Sequence, residues 1–378
     1  MRILLVTNYQ PPHMGGIEFA GEALKACWER DGHQVTWLST DLPRGARPEA
    51  PDNLRVHALN QAEDWLQINT PLVSPLAYPR IRRAIRNNDV VNVHSLAPGL
   101  AMLVLRIAQR MDKPVVATQH VGVIPLRWPW LSHLQEHVIV RNARLAVSEG
   151  APLTFVGAAV REWFLARAGL RPDQTSMTPA GIDPAAYHFV DETERQSLRA
   201  KWKVEGQKLN VLFVGRFYDK KGLPLIREVA AAHPEVHFTL VGSGPLKPES
   251  WNLPNVRLIG FVSTAELREL YGAHDLFIMP SFGEGWPAVV PQAMACGLPC
   301  MISEECFQGY AKDAELFLIT PRTTAAVGAI LTQALQGDTP LLRERARVAD
   351  YARSIWNWQT TARIYAELFA ELSTRASN

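Results

Sequence analysis

Ile3-Leu4-Leu5-Val6, then Met14-Gly15-Gly16-Ile17-Glu18, then Gly32, then Val35-Thr36-Trp37-Leu38: the order of these pieces decides the fold. The two apolar tetrads are short and aliphatic, as buried strands are. Between them Phe19, Ala23, Leu24 and Cys27 recur near a 3.6-residue period, which predicts a helix with one apolar face. Gly32 supplies a left-handed stop, so that helix is expected to end before His33. Strand, helix and strand make a βαβ unit, and the helical crossover makes the two strands parallel.

The rhythm repeats along the chain. Val90 to Val93, Val115 to Ala117 and Leu145 to Val147 read as further strands of a first series. A second series runs through Leu209 to Val214, Phe238 to Val241, Val256 to Ile259, Leu276 to Met279 and Pro299 to Ile302. The charged stretch from Asp191 to Gln207 separates them and puts the junction near residues 184 to 195. The expected organisation is a Rossmann-like domain over 1–187 and a second over 195–355. A helical segment, 356–378, is expected to return to the first domain. Ser263-Thr264-Ala265-Glu266 has the pattern of a capping box. In open α/β sheets ligands bind beyond the carboxyl ends of the strands, so two such sheets facing each other predict a central cleft. Functional residues should therefore lie just after strands.

Composition narrows the partners. With 378 residues, 47% hydrophobic and 20% charged, the chain can bury two cores without disulfides or a structural metal. Lys and Arg number 39 against 37 Asp and Glu, a net +2 that leaves no electrostatic footprint for nucleic acid. Cys27, Cys296, Cys300 and Cys306 match neither a C-x-x-C redox motif nor a zinc framework, and read as reduced structural thiols. The N-terminal apolar run is too short for a signal peptide. The longest apolar stretch, Ala288 to Ile302, is broken by Pro291, Gln292, Gly297 and Pro299. A cytoplasmic protein with no membrane span is expected.

Several loops carry anion chemistry. Gly15-Gly16 before a helix lets the backbone approach a negative group, with a simple tight turn as the alternative. Gly215-Arg216 ends a strand and Lys220-Lys221-Gly222 follows; two cations there suit a diphosphate, each charge-assisted bond contributing roughly 1.5 to 3 kcal/mol. A solvated basic turn is the competing reading. Gly242-Ser243-Gly244 lacks the third glycine of a dinucleotide fingerprint, so loop geometry explains it equally well.

The segment Pro280-Ser281-Phe282-Gly283-Glu284-Gly285-Trp286-Pro287 places a carboxylate, Glu284, on a loop after a strand. A helix is expected to begin near Pro287, with Gln292 one to two turns in. A carboxylate beside an anion site suits sugar hydroxyls. Trp128 and Trp130 offer aromatic faces to a sugar or a lipid tail, against ordinary packing. Arg80, Arg82, Arg83 and Arg86 on one helix could meet anionic headgroups, against a solvated face. His133-x-x-Glu136-His137 fits a zinc motif, yet nothing in the sequence suggests a third ligand. The chain has no Asp-x-Asp, so no metal-held diphosphate is expected.

Nearly the whole chain resembles the GT-B glycosyltransferases of the large retaining family 4. The resemblance runs through Gly15-Gly16-Ile17-Glu18, Gly32-His33-Gln34-Val35, Thr118-Gln119-His120, Val147-Ser148-Glu149, Gly181-Ile182-Asp183, Phe213-Val214-Gly215-Arg216, Lys221-Gly222, Gly260-Phe261-Val262 and the Glu284 segment. It implies a GT-B fold of two facing Rossmann-like domains. It also implies retaining, metal-independent transfer of a sugar from a nucleotide-sugar donor, here expected to be a UDP-sugar, to a hydroxyl acceptor. No cofactor beyond that co-substrate is implied.

By this resemblance the first domain binds the acceptor and the second the donor. Glu284, His120, Arg216 and Lys221 match catalytic positions. Gly16, Gly215, Gly242, Gly260, Phe261, Val262, Gly285, Trp286, Pro287 and Gln292 fall on the donor side, and His13, His94, Trp128 and Trp130 on the acceptor side. A carbohydrate or lipid-linked saccharide acceptor, in polysaccharide or glycolipid synthesis, is the expected partner, with peripheral contact to the inner face of an anionic membrane. Gln292 stands where the family carries a glutamate on the ribose, Pro287 where a glycine is usual and Ala180 where an asparagine is usual. These departures motivate an alternative, a non-catalytic nucleotide-sugar-binding subunit of an assembly complex. A nucleotide-sugar epimerase of the same fold is a third reading.

Overall fold

The structure is a computed structural model and describes residues 1–13, 15–42, 51–59, 71–122, 128–204, 206, 208–282, 284, 286–310 and 313–377. It divides into two compact units, Met1–Gly181 with Trp358–Asn378, and Ile182–Asn357. Each is a parallel sheet with helices, and each carries its own core.

The first unit is built on strands β1 (Arg2–Val6), β2 (Gln34–Thr40), β3 (Asn53–Val56), β6 (Val90–His94), β7 (Val115–Gln119), β8 (Leu153–Phe155) and β9 (Thr175–Met177). A small antiparallel pair, β4 (Ala58–Leu59) and β5 (Leu72–Val73), lies outside this sheet. The sheet order is β3-β2-β1-β6-β7-β8-β9, so the winding reverses between β1 and β6. Helix α1 (Gly16–Arg30) makes the first crossover, and Gly32, at φ +83, turns the chain after it.

Alternation along β1 serves two buried faces. Leu4 and Val6 belong to one apolar cluster with Leu100 and Leu105, while Ile3 and Leu5 belong to another with Trp28 and Val35. That second face is covered by the last helix of the chain, Trp358–Ser377, through Ala362, Tyr365 and Phe369. Trp28 Nε1 donates to Ala362 O at 3.0 Å, so this aromatic buries its ring without stranding its polar edge.

In the second unit, β10 (Asn210–Val214), β11 (His237–Val241), β12 (Val256–Ile259), β13 (Leu276–Met279), β14 (Cys300–Ser303) and β15 (Leu318–Thr320) lie in the order β12-β11-β10-β13-β14-β15, all parallel. The winding reverses between β10 and β13. Ser263 and Glu266 form the expected capping box at the start of helix Thr264–Ala273. Cys27, Cys296, Cys300 and Cys306 are all free and buried, and burial pushes the Cys296 and Cys306 thiols up to about 12. Among the described residues no helix is long and apolar enough to cross a membrane.

Three expectations need correction. Leu145 to Val147 is the last turn of a 20-residue helix, Pro129–Ser148, and the next strand is Leu153–Phe155. Ile139, Ala143 and Ala146 are buried at helical spacing, and the short apolar run at their end mimics a strand. The junction falls at Gly181, ahead of 184 to 195, because Ile182, Tyr187 and Val190 are buried in the second unit's core. The helix expected near Pro287 begins at Val289, leaving Pro287 outside it. Tyr310 Oη donates to the Pro287 carbonyl at 2.7 Å, tying that residue to a neighbouring ring ahead of the helix.

Candidate functional site

The expected residues gather in two clusters, one in each unit. In the first unit the Gly-Gly turn after β1 holds one of its own side chains. Glu18, in the first turn of α1, is 6% exposed, and its carboxylate folds back so that a Cβ on Gly15 would collide with Oε2. His13 Nδ1 sits 3.1 Å from Glu18 Oε1, and the His13 ring stacks on Tyr9 at 4.4 Å. Burial raises the Glu18 carboxyl, opposed by its backbone hydrogen bond and by His13. Gly16 is exposed, with nothing within 4 Å of where a Cβ would stand. The turn is therefore open at Gly16 and filled at Gly15.

The ends of β6 and β7 bring His94 and His120 together, with His94 Nδ1 2.8 Å from His120 Nε2. His94 is buried and reaches Asn92 Oδ1 at 2.5 Å through its other nitrogen. Burial lowers His120 to about 4. It lowers His94 well below the ordinary histidine range too, and the neighbouring His120 adds to the effect. Both rings are thus neutral at neutral pH. Behind them the Tyr365 hydroxyl joins Thr118, Thr154 and Thr178. Gln119 Oε1 accepts from Leu96 N at 2.8 Å and holds the neighbouring loop.

In the second unit the loops after β10 and β13 pack on one another. Phe282 N donates to Lys220 O at 2.9 Å, and Gly222, at φ +81, presses its Cα against Pro280. That packing brings Lys221 Nζ to 2.8 Å from Glu284 Oε1, both side chains mostly buried. The two groups meet as an ion pair, and Oε1 is buried with no well-aligned hydrogen-bond donor among the described residues. Arg216 is exposed, donates to Tyr218 Oη at 2.7 Å and lies 4.7 Å over its ring. Tyr218 thereby holds the guanidinium at the carboxyl end of β10.

Other positions are placed differently. A Cβ on Gly242, at φ +137, would collide with Gly215 O, so close packing of two loops explains this glycine. Gly260 and Phe261 project from the end of β12, Phe261 91% exposed, with Val262 half-buried beside them. Trp286 packs near Tyr310 and Trp356. Gln292 Oε1 lies 3.4 Å from the Tyr271 hydroxyl, which donates to it. Gly285 lies outside the described residues. Trp128 and Trp130 stand at the start of helix Pro129–Ser148, 37% and 62% exposed.

His133 and His137 are exposed on that same helix, and Glu136 is engaged by Arg167 at 3.4 Å. Among the described residues no group of three or more His, Cys, Asp or Glu could hold a metal. The structure adds Asn92, Tyr218 and Tyr365 to these clusters. Asn92 had a signal, being a polar residue inside an apolar strand. Tyr365, 247 residues from Thr118, had none.

Two family models match in succession: "Glycosyltransferase Family 4" over residues 14–186 and "Glycosyl transferases group 1" over residues 208–336. A GDP-mannose-dependent alpha-mannosyltransferase of Mycobacterium tuberculosis is 28% identical over 374 residues, covering 93% of this chain and 91% of that protein. Sucrose-phosphate synthase from Thermosynechococcus elongatus superposes with a TM-score of 0.75 at 17% identity, covering 99% of both chains. Anabaena HepE in complex with UDP gives 0.75 at 17% identity, covering 98% of this chain and 100% of that one. At such identity the structural likenesses establish a shared fold, the GT-B architecture of paired Rossmann-like domains.

Proposed function

This chain belongs to glycosyltransferase family 4, and on that premise we propose that it moves a hexose from a nucleoside-diphosphate sugar to a hydroxyl acceptor with retention at the anomeric carbon. The observation that carries this reading is the Lys221–Glu284 pair, a cation and a carboxylate 2.8 Å apart on loops at the carboxyl ends of two strands. A diphosphate needs the first group and sugar hydroxyls need the second.

In this reaction the bond from the anomeric carbon to the diphosphate oxygen breaks and a bond to the acceptor oxygen forms on the same face. The acceptor's proton passes to the departing diphosphate. Arg216 and Lys221 stabilise the charge that develops on the leaving group, so the step is assigned no metal and no cofactor. Glu284 accepts hydrogen bonds from the donor sugar once Lys221 turns to the phosphates. Gly16, open where a side chain would stand, leaves room for a phosphate at its backbone N–H.

For the base, a uridine donor is the expectation from sequence. The mycobacterial relative, named as GDP-mannose-dependent, is the observation that favours guanosine instead. Calorimetry with UDP and GDP, each alone, separates the two. For the acceptor we infer a lipid-linked saccharide at an anionic membrane surface. Arg82, Arg83 and Arg86 are exposed on helix Tyr78–Asn87, and Leu76, 90% exposed, precedes it. Cations with an adjacent apolar side chain suit a headgroup layer.

The test is transfer by purified protein. Lys221→Ala and Glu284→Ala should each lower kcat by about 100-fold or more, as loss of a transition-state contact does. Near-native rates in both overturn the assignment. A second reading, a binding subunit without catalysis, is favoured by Gln292, whose carbonyl is already used by Tyr271. Nucleotide release by the protein alone removes it.

A further inference from the structure

The hydrogen bonds behind His120 have a direction, and it can be followed from one end. The Tyr365 hydroxyl donates to Thr178 Oγ1 at 3.0 Å, so its oxygen accepts from Thr118 Oγ1 at 2.9 Å. A hydroxyl has one proton to give. Thr118 Oγ1 therefore only accepts from its other neighbours, Thr154 Oγ1 at 2.9 Å and Asn92 Nδ2 at 3.4 Å. The bond to Nδ2 orients the Asn92 amide and turns its Oδ1 to His94 Nε2, 2.5 Å away. An amide oxygen can only accept. His94 thus carries its proton on Nε2 and presents a lone pair at Nδ1. His120 Nε2, 2.8 Å from that lone pair, must be the donor. The remaining nitrogen of His120, Nδ1, then holds a lone pair with no partner among the described residues, on a ring that is only half-buried.

We propose that Asn92 and His94 are positioning residues that lock His120 in its Nε2–H form, so that Nδ1 accepts a hydrogen bond from a hydroxyl of the sugar substrate. The inference rests on the transfer reaction proposed above and specifies what His120 does in it. A neutral acceptor suits the site for two reasons. Accepting the hydroxyl's proton fixes which way that hydroxyl points, and an uncharged ring does not oppose positive charge developing on the sugar. The other tautomer would present an N–H and reverse the hydroxyl. Fixing a histidine through the partner of its far nitrogen is the usual way a protein selects a tautomer.

The experiment uses the full chain labelled with 15N-histidine. Ring-nitrogen spectra distinguish a protonated nitrogen from a lone pair without any substrate. The expected result is a protonated Nε2 and a lone pair at Nδ1 in His120, assigned by comparison with His120→Gln. Asn92→Leu should mix the tautomers and lower kcat by about 10- to 100-fold, the range for outer-shell partners of functional histidines, with donor KM little changed. Asn92→Asp, which keeps an acceptor oxygen, should restore the tautomer and part of kcat. A protonated Nδ1 in the wild-type protein overturns the proposal whether or not Asn92→Leu folds. So does an Asn92→Leu protein that is folded and fully active. Wild-type protein with the expected tautomer but no transfer to any acceptor counts against the transferase reading instead.

Discussion

Lys221 Nζ lies 2.8 Å from Glu284 Oε1, and the two side chains are 17% and 12% exposed. Each compensates a charge that would otherwise be held out of water. Lys221→Met should leave an unpaired carboxylate and cost about 2 kcal/mol or more, less than the 3 to 5 of a fully buried pair. Adding Glu284→Gln should recover part of that loss, giving a coupling energy of about 1 kcal/mol or more in a double-mutant cycle. Denaturant melts of the four proteins measure it. Simple additivity would mean that the pair is not energetically coupled.

Two glycines should respond in opposite ways. Gly222 has φ +81, and a Cβ there would run into the Pro280 carbonyl. Gly222→Ala should cost about 2 kcal/mol or more through strain and loss of the loop contact that presents Lys221. Gly16→Ala meets nothing and should keep its melting temperature. If a phosphate sits at that turn, Gly16→Ala should nevertheless weaken diphosphate binding in calorimetry. Unchanged binding would remove Gly16 from the donor site.

Acid should destabilise both units before any carboxylate cluster is titrated. His120 and His274 are lowered by burial to about 4, and His94 is lowered well below the ordinary histidine range by burial and by its neighbour His120. Between pH 6.5 and about 4 the unfolded chain binds protons that the folded chain refuses, so stability falls as pH falls through that window. Glu18, raised by burial, acts in the opposite sense near the upper carboxylate range and softens the slope. Melting temperature measured from pH 7.5 to 4.5 should decline steadily. A flat profile would mean that these histidines are not buried as neutral rings.

Removing one hydroxyl at the end of the chain should be felt at His120. Tyr365→Phe breaks the hydroxyl link between Thr118 and Thr178. The loss should be about 1 to 3 kcal/mol, since buried partners are left unsatisfied. Because Thr118 then has no fixed acceptor, Asn92 loses its orientation and kcat should fall with it. A variant that is destabilised yet fully active would separate the last helix from the chemistry.

Reversing the charge of Arg82, Arg83 and Arg86 together should abolish sedimentation with vesicles rich in anionic lipid, at about 1 kcal/mol per side chain. Transfer to a short soluble acceptor should persist. Equal sedimentation of wild type and variant would place the membrane contact elsewhere or nowhere.

Much of this could be read from residue order. The strands Val90–His94, Val115–Gln119 and Leu276–Met279 announce themselves through short aliphatic runs, because a strand buried on both faces is largely apolar, with Asn92, His94, Thr118 and Gln119 as buried polar exceptions. The loop residues Arg216, Lys221 and Glu284 follow such strands closely, so their place after a strand is legible in the residue order. Leu145 to Val147 misled because a short apolar run has no period of its own. Pro287 stands just ahead of helix Val289–Ala295, its carbonyl accepting from both Val290 N and the Tyr310 hydroxyl.

The sequence by itself determined two parallel α/β units, which follow from periodicity and short-range spacing acting through neighbours on the chain, and its motifs carry the resemblance to the family to which the chain belongs. Only the tertiary structure decided that Glu18 fills its own glycine turn, that Lys221 meets Glu284, and that Thr118 lies between the Tyr365 hydroxyl and the Asn92 amide behind His94. Those are hydrogen bonds and ion pairs of a few ångströms. Their existence depends on where distant elements come to rest, and no local pattern encodes that.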